Sequence, residues 1–336
     1  LNYSSHSLDT VPTGDEPLLA LRDLTIGFAD TRGIVLAADR INLEIFPNQT
    51  VGLLGESGCG KSVTLRSILG LVPYPGEVIA GTMIWKGQNL LEASRQEMGR
   101  VRGKEISMIF QDPTSCLNPV FTIGNQITEM LRVKLHMTSR DAQARAVELL
   151  DHVGIPSPEQ RLKLYPHQLS GGMRQRIMTA IAIASRPNLL LADEPTTALD
   201  VTIQDQILNL LADLQDETGM SIILVSHDVG VIAQNCDTIA VMYAGQIMES
   251  GPARDVIHSP RHPYTQGLLA AVPTLEAAGR HTPLVSIPGQ PPNLADLPPG
   301  CPFQARCVHA RTECASIPVV LDRRLPEHGS ACPFVN

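Results

Sequence analysis

The chain of 336 residues has no long hydrophobic run. Its longest apolar stretches, such as Ile239 to Ala244 and Leu268 to Val272, fall far short of the ~20 residues a membrane-spanning helix needs. A chain soluble by itself is expected. A basic excess is missing too: 26 Lys and Arg stand against 34 Asp and Glu, a net charge of −8, so a general nucleic-acid binder loses weight and no nucleic-acid partner is expected. There is no repeat of ~20–50 residues, no low-complexity tract and no sustained heptad pattern. Residues 1–16 lack a basic cluster followed by an apolar segment, which excludes a recognisable secretory signal and points to the cytosol. They read as a mobile polar tail, and Leu1 in place of Met as processing, trimming or a non-standard start. Cysteine is scarce over most of the chain, where Cys59, Cys116 and Cys236 are scattered, but Cys301, Cys307, Cys314 and Cys332 crowd the last 36 residues. In a reducing compartment such a group reads as metal-binding rather than disulfide-forming.

With 43% apolar and 18% charged residues the composition is globular, and the length suits one large domain plus a smaller one. Apolar strand-like runs alternate with helical patterns from about residue 18 to 258, predicting an α/β fold with a largely parallel sheet. Val51–Leu54, Leu189–Ala192 and Ile222–Val225 are its clearest strands. The segment 112–175 is helix-rich and predicts a helical subdomain. Eight of the 26 prolines fall within residues 273–302, which forbids long helices or central strands there. The expected organisation is therefore a tail at 1–16, an α/β domain at 17–258 and a short irregular extension at 259–336.

Gly55-Glu56-Ser57-Gly58-Cys59-Gly60-Lys61-Ser62 fits G-x-x-x-x-G-K-[ST], after a strand and before a helical run that starts at Val63. Small residues let successive backbone N–H groups surround a polyphosphate while the helix directs its positive end at it. Lys61 is placed to reach the β- and γ-phosphates, and Ser62 to ligate Mg²⁺. Cys59 occupies a freely variable position, where a small filler suffices; oxidation there could block nucleotide binding. About 130 residues later, Leu189 to Pro195 reads as an apolar strand ending in Asp193 and Glu194. Asp193 suits Mg²⁺, and Glu194 suits deprotonation of an attacking water. Buried strands often end in an acid; the preceding loop makes the functional reading the stronger one.

Leu169-Ser170-Gly171-Gly172-Met173 resembles the signature of ATP-binding cassette (ABC) ATPases, usually written LSGGQ, with Met173 in place of the final Gln. Gln111 resembles the Q-loop glutamine, which contacts Mg²⁺ and water. Ala198-Leu199-Asp200 resembles the D-loop, His227 the switch histidine, and Phe28 the aromatic that stacks on adenine. The resemblance implies a P-loop NTPase of the ABC type. In that family Ser170, Gly171 and Gly172 act on the nucleotide of an opposite subunit, so two ATPs are sandwiched in a dimer.

Phe110 to Pro119, Tyr165 to Ser170 and the segment around His262-Pro263-Tyr264 resemble the oligopeptide/dipeptide/nickel importer group. That resemblance implies an ATPase on the cytoplasmic face of the membrane. Its partners would be a second ABC ATPase (a heterodimer), two transmembrane permeases and an extracytoplasmic peptide-binding protein. His262 and Tyr264 read as a helix-start packing motif. The four clustered cysteines, spaced C-x5-C-x6-C-x17-C, together with the resemblance point to a [4Fe–4S] cluster, with zinc or unmetallated thiols as the alternatives. Competing readings are nickel or glutathione import, a soluble ABC ATPase of repair or translation, and an iron–sulfur sensor.

Overall fold

A computed structural model describes residues 16–31, 33–196, 200–272, 286–321 and 328–334. Nearly all of the expected N-terminal tail, together with Ala198 and Leu199, therefore lies outside the described residues. In chain order the first elements are β1 (Leu19–Asp30), β2 (Gly33–Ile45), β3 (Thr50–Leu54), α1 (Lys61–Ile68), β4 (Gly76–Trp85) and β5 (Gln88–Asn89). Next come α2 (Arg95–Val101), β6 (Ile106–Ile109), α3 (Pro113–Cys116), α4 (Ile123–Leu135), α5 (Ser139–His152), α6 (Pro158–Arg161), α7 (Gly171–Ile183), β7 (Leu189–Asp193), α8 (Val201–Thr218) and β8 (Ser221–Ser226). The last are α9 (Val229–Asn235), β9 (Thr238–Tyr243), β10 (Gln246–Pro252), α10 (Ala253–His258), α11 (Pro263–Ala270) and β11 (Gly329–Ser330). No described helix is long and apolar enough to cross a membrane.

The described residues form two compact units, one of those up to residue 91 and from 225 onward, the other of those between 92 and 224. In the first, β3 runs parallel to β9, and both strands are almost wholly buried. The parallel expectation fails for β1, β2 and β4, which make an antiparallel sheet in the order β2-β1-β4-β5. Its cause is the connection between Asp30 and Gly33, far too short for the crossover that parallel neighbours require.

The C-terminal segment draws its core from this same unit. Tyr243 of β9, Tyr264 of α11 and Phe303 form an aromatic cluster with ring centroids 4.6–5.3 Å apart. Glu249 of β10, fully buried, accepts from the Arg261 and His262 N–H groups at 2.7 and 2.8 Å and lies 2.7 Å from His328 Nε2. A segment with too few apolar residues for a core of its own is thus fastened by borrowed aromatic and ionic contacts.

His262 caps α11: its Nδ1 accepts from the Tyr264 N–H at 3.1 Å, which requires a lone pair there and hence, with burial, the neutral ring. Desolvation pushes its pKa down to about 3. Between that value and the ordinary one near 6.5, the unfolded chain binds a proton that the folded chain refuses, so stability falls as pH drops through this window. The His262 contribution is a slope of at most about 1.4 kcal/mol per pH unit. Asn at this position still caps but does not titrate. His262→Asn is expected to flatten the acid limb of denaturant-midpoint measurements between about pH 7 and about pH 4 relative to the parent. Identical limbs in the two proteins would refute the assignment.

In the second unit β6 runs parallel to β7, and the strand order is β8-β7-β6. Helices α4, α5 and α7 pack on one another. Ile123, Ile127 and Leu131 give α4 a buried stripe at spacing four, and Ala142, Ala146, Leu149 and Leu150 do the same for α5. Thr122, Thr138, Ser170 and Asp200 cap their helices with side-chain oxygens. Helix α7 ends before Pro187, with Arg186 left-handed at φ 52°.

Candidate functional site

The phosphate-loop sequence lies between β3 and α1 in the first unit. Gly60 is left-handed at φ 106°, and a Cβ there would sit 2.3 Å from the Ala37 carbonyl oxygen. At Gly55 a Cβ would meet the Met242 carbonyl oxygen at the same 2.3 Å. These two positions admit no side chain, which is how the sequence dictates the loop's path. Lys61 is buried, and its Nζ donates to the Gly55 and Glu56 carbonyl oxygens at 2.7 and 3.0 Å, with the Cys59 Sγ at 3.7 Å. Burial raises the Cys59 pKa despite the neighbouring Lys61, so the thiol stays protonated and fits the filler reading.

Two contacts to this loop escaped sequence reading. The Tyr264 hydroxyl oxygen accepts from the Glu56 N–H at 3.0 Å, and the Arg306 guanidinium grips both Glu56 carboxylate oxygens at 2.6 and 2.9 Å. Tyr264 is thus more than a packing residue. Phe28 is half-buried on β1, its ring edge occupying the space a Cβ would need at Gly76. His227, just after β8, is exposed; Asp228 beside it caps α9.

Gln111 and Glu194 meet in the second unit. The Gln111 amide donates to the Glu194 carboxylate at 3.0 Å, joining residues far apart in sequence. Asp193 is fully buried at the end of β7, and Glu194 follows in the left-handed region at φ 46°. A non-glycine residue in that region is sterically costly and is held there by its surroundings. Part of that hold is Gln175 of α7, buried, whose amide donates to the Pro195 carbonyl at 2.6 Å. Ser170 stands at the N-terminus of α7, its Oγ accepting from the Met173 N–H at 3.3 Å, while Gly171 and Gly172 open the helix. Asp200 accepts from the Ile203 N–H at 3.0 Å, a capping role at the start of α8.

Cys314 lies in a short 3-10 turn (Thr312–Ala315), and Cys301, Cys307 and Cys332 lie outside helices and strands. Cys301 donates its N–H to the Cys314 carbonyl at 2.8 Å, and its thiol feels those of Cys307, Cys314 and Cys332. Among the described residues, however, no three Cys, His, Asp or Glu side chains are arranged to hold a metal ion. The metal-site expectation is not supported by this arrangement. Desolvation pushes the Cys301 thiol up to about 11 and raises Cys307 as well, so both are protonated thiols in this structure.

A glycine-walled phosphate loop after a parallel strand, an acid pair ending a second strand and a serine–glycine turn opening a helix define a P-loop ATPase of the cassette class. The ABC transporter family model matches residues 38–197, and that of the oligopeptide/dipeptide transporter C-terminal region matches 248–314. The dipeptide transport ATP-binding protein DppD of Bacillus subtilis is 47% identical over 300 residues, 89% of either chain. The oligopeptide transport ATP-binding protein OppD of Escherichia coli is 45% identical over 326 residues, 96% of either chain. Among solved structures, a dimeric ATP-binding cassette in a post-hydrolysis state, bound to ADP and Pi, superposes with a TM-score of 0.64. It is 28% identical and covers 70% of this chain and 99% of its own. The chain belongs to the ABC transporter family, in the group of ATP-binding proteins that carry the oligopeptide/dipeptide C-terminal region.

Proposed function

We propose that this chain is the ATP-hydrolysing subunit of a bacterial ABC importer of di- or oligopeptides. The observation that carries the reading is the relationship to dipeptide and oligopeptide transport ATP-binding proteins along nearly the whole length, with every catalytic motif intact. Lys61 and the loop from Gly55 to Val63 bind the phosphates, and Phe28 stacks on adenine. Ser62, Asp193 and Gln111 are the residues that would hold Mg²⁺; all three offer hard oxygen donors, as that ion prefers. When bound, the ion neutralises charge developing on the phosphoryl oxygens. Glu194, oriented by Gln111, takes the proton of the attacking water, and His227 attends the γ-phosphate. Ser170, Gly171 and Gly172, with Asp200, serve the nucleotide of the opposite subunit.

The partners are a second ABC ATPase, forming a heterodimer, two transmembrane permeases and an extracytoplasmic peptide-binding protein. The chain works peripherally on the cytoplasmic face of the membrane. A finer part of the reading is a [4Fe–4S] cluster, or zinc, on Cys301, Cys307, Cys314 and Cys332. Its support is the number of thiols and their mutual electrostatic proximity, and anaerobic iron and labile-sulfide analysis tests it. Import is tested in proteoliposomes holding both ATPases and both permeases, with the binding protein outside and ATP within. Accumulation of labelled peptide that stops without ATP is expected. Uptake of nickel chelate or glutathione but not of peptide would overturn the substrate class.

A further inference from the structure

We infer that Arg306 is a positioning residue of the phosphate loop, neutralising and pinning Glu56 so that the loop meets a polyanion without a loose carboxylate. The inference rests on the reading of Gly55–Ser62 as the ATP phosphate site, and all its contacts lie within the first unit. Arg306 is buried, and four of its five N–H donors have acceptors. Nη1 and Nη2 take the two Glu56 carboxylate oxygens, at 2.6 and 2.9 Å. Nε donates to the Pro288 carbonyl at 2.9 Å and Nη1 to the Tyr243 hydroxyl at 3.3 Å. The guanidinium carbon lies 5.7 Å from the Tyr243 ring centroid. A fork-to-fork pair so constrained fixes direction as well as charge, which an ammonium would not do.

Glu56 is held at three points. Arg306 holds its carboxylate, the Tyr264 hydroxyl accepts from its N–H, and Lys61 Nζ donates to its carbonyl oxygen. Two of those three partners come from the C-terminal segment, some 200 residues or more along the chain. Phe303, three residues before Arg306, packs on both Tyr243 and Tyr264. The segment therefore acts on the nucleotide site through one residue of the loop. Without Arg306, an unneutralised carboxylate would stand in the second position of a loop built to attract phosphate. Like charges some ~8 Å apart at an effective dielectric of ~20 repel strongly enough to weaken binding roughly ten- to thirtyfold.

The test is a double-mutant cycle on the full chain: parent, Arg306→Met, Glu56→Gln and the pair together, with Arg306→Lys as a conservative variant. Fluorescent ATP and ADP are titrated with Mg²⁺ present, and KM and kcat are measured in the assembled complex. Arg306→Met is expected to weaken ATP roughly ten- to thirtyfold and ADP less, as a charge effect must, and to raise KM while kcat holds. The double variant should recover most of that loss, because the repelling carboxylate is gone. Should Arg306→Met fail to fold, Arg306→Gln, which also removes the charge, must show the same ATP-over-ADP ordering, while Arg306→Lys, which keeps the charge and loses the fork, stays within roughly threefold of the parent. ATP affinity within twofold of the parent, equal losses for ATP and ADP, or no recovery in the double variant would each overturn the inference. A parent protein that binds no ATP would instead overturn the reading of the loop itself.

Discussion

Glu194→Gln is expected to retain ATP binding and to lower hydrolysis by about 10²–10⁴-fold, the usual contribution of a general base. The substitution is nearly isosteric and keeps an oxygen that can accept from the Gln111 amide, now 3.0 Å from the carboxylate. It leaves the left-handed backbone at φ 46° under the same strain as before, since neither Glu nor Gln is branched at Cβ. What disappears is the capacity to take a proton from water. On the proposed reading, in which two ATPs close the heterodimer and hydrolysis opens it, the variant mixed with its partner ATPase should accumulate as a closed, ATP-loaded dimer. Size-exclusion chromatography with light scattering, run with ATP and Mg²⁺, reads that species directly. Hydrolysis at the parental rate would remove Glu194 from its assigned role and leave proton transfer to another group.

The loop from Gly55 to Ser62 could be read because its chemistry is contiguous: two glycines without room for a Cβ and one buried lysine stand within a few residues. Glu194 and Gln111 could each be read as a motif, but their hydrogen bond could not, since nothing local in either segment specifies the other. Gln175 carried no signal at all. It is one polar residue in a helix buried on most sides, and only folding brings its amide to the Pro195 carbonyl. Arg306 was hidden in a segment whose cysteines drew the reading toward metal, while its partner Glu56 occupied a variable place in the loop motif. The antiparallel sheet was missed for a different reason. Strands β1 and β2 are partly exposed and bulged, so their alternation is irregular and the short turn between them was the better clue. Local patterns thus announced the chemistry, and long-range pairing supplied the residues that hold it in place.

Lys61→Met should abolish activity by a different route, and the contrast with Glu194→Gln separates binding from catalysis. The ammonium of Lys61 is almost wholly buried and donates to two loop carbonyls, so it helps shape the loop as well as charge it. Met matches the stem in length and apolar character but donates nothing. The Gly55 and Glu56 carbonyls then lose their partner, a cost of about 1–3 kcal/mol that shows as a lowered melting temperature in a chain that still folds. The loss of positive charge at the β- and γ-phosphates is the larger effect: hydrolysis should drop by at least about 10²-fold, and ATP affinity should drop with it. In Glu194→Gln, affinity survives and turnover is lost; in Lys61→Met, both are lost. Adding Glu194→Gln to Lys61→Met should therefore fail to restore the closed dimer, since no nucleotide remains to hold it. A Lys61→Met protein that still binds ATP like the parent would show that the loop's N–H groups suffice for the phosphates, and that the lysine serves the loop's own conformation.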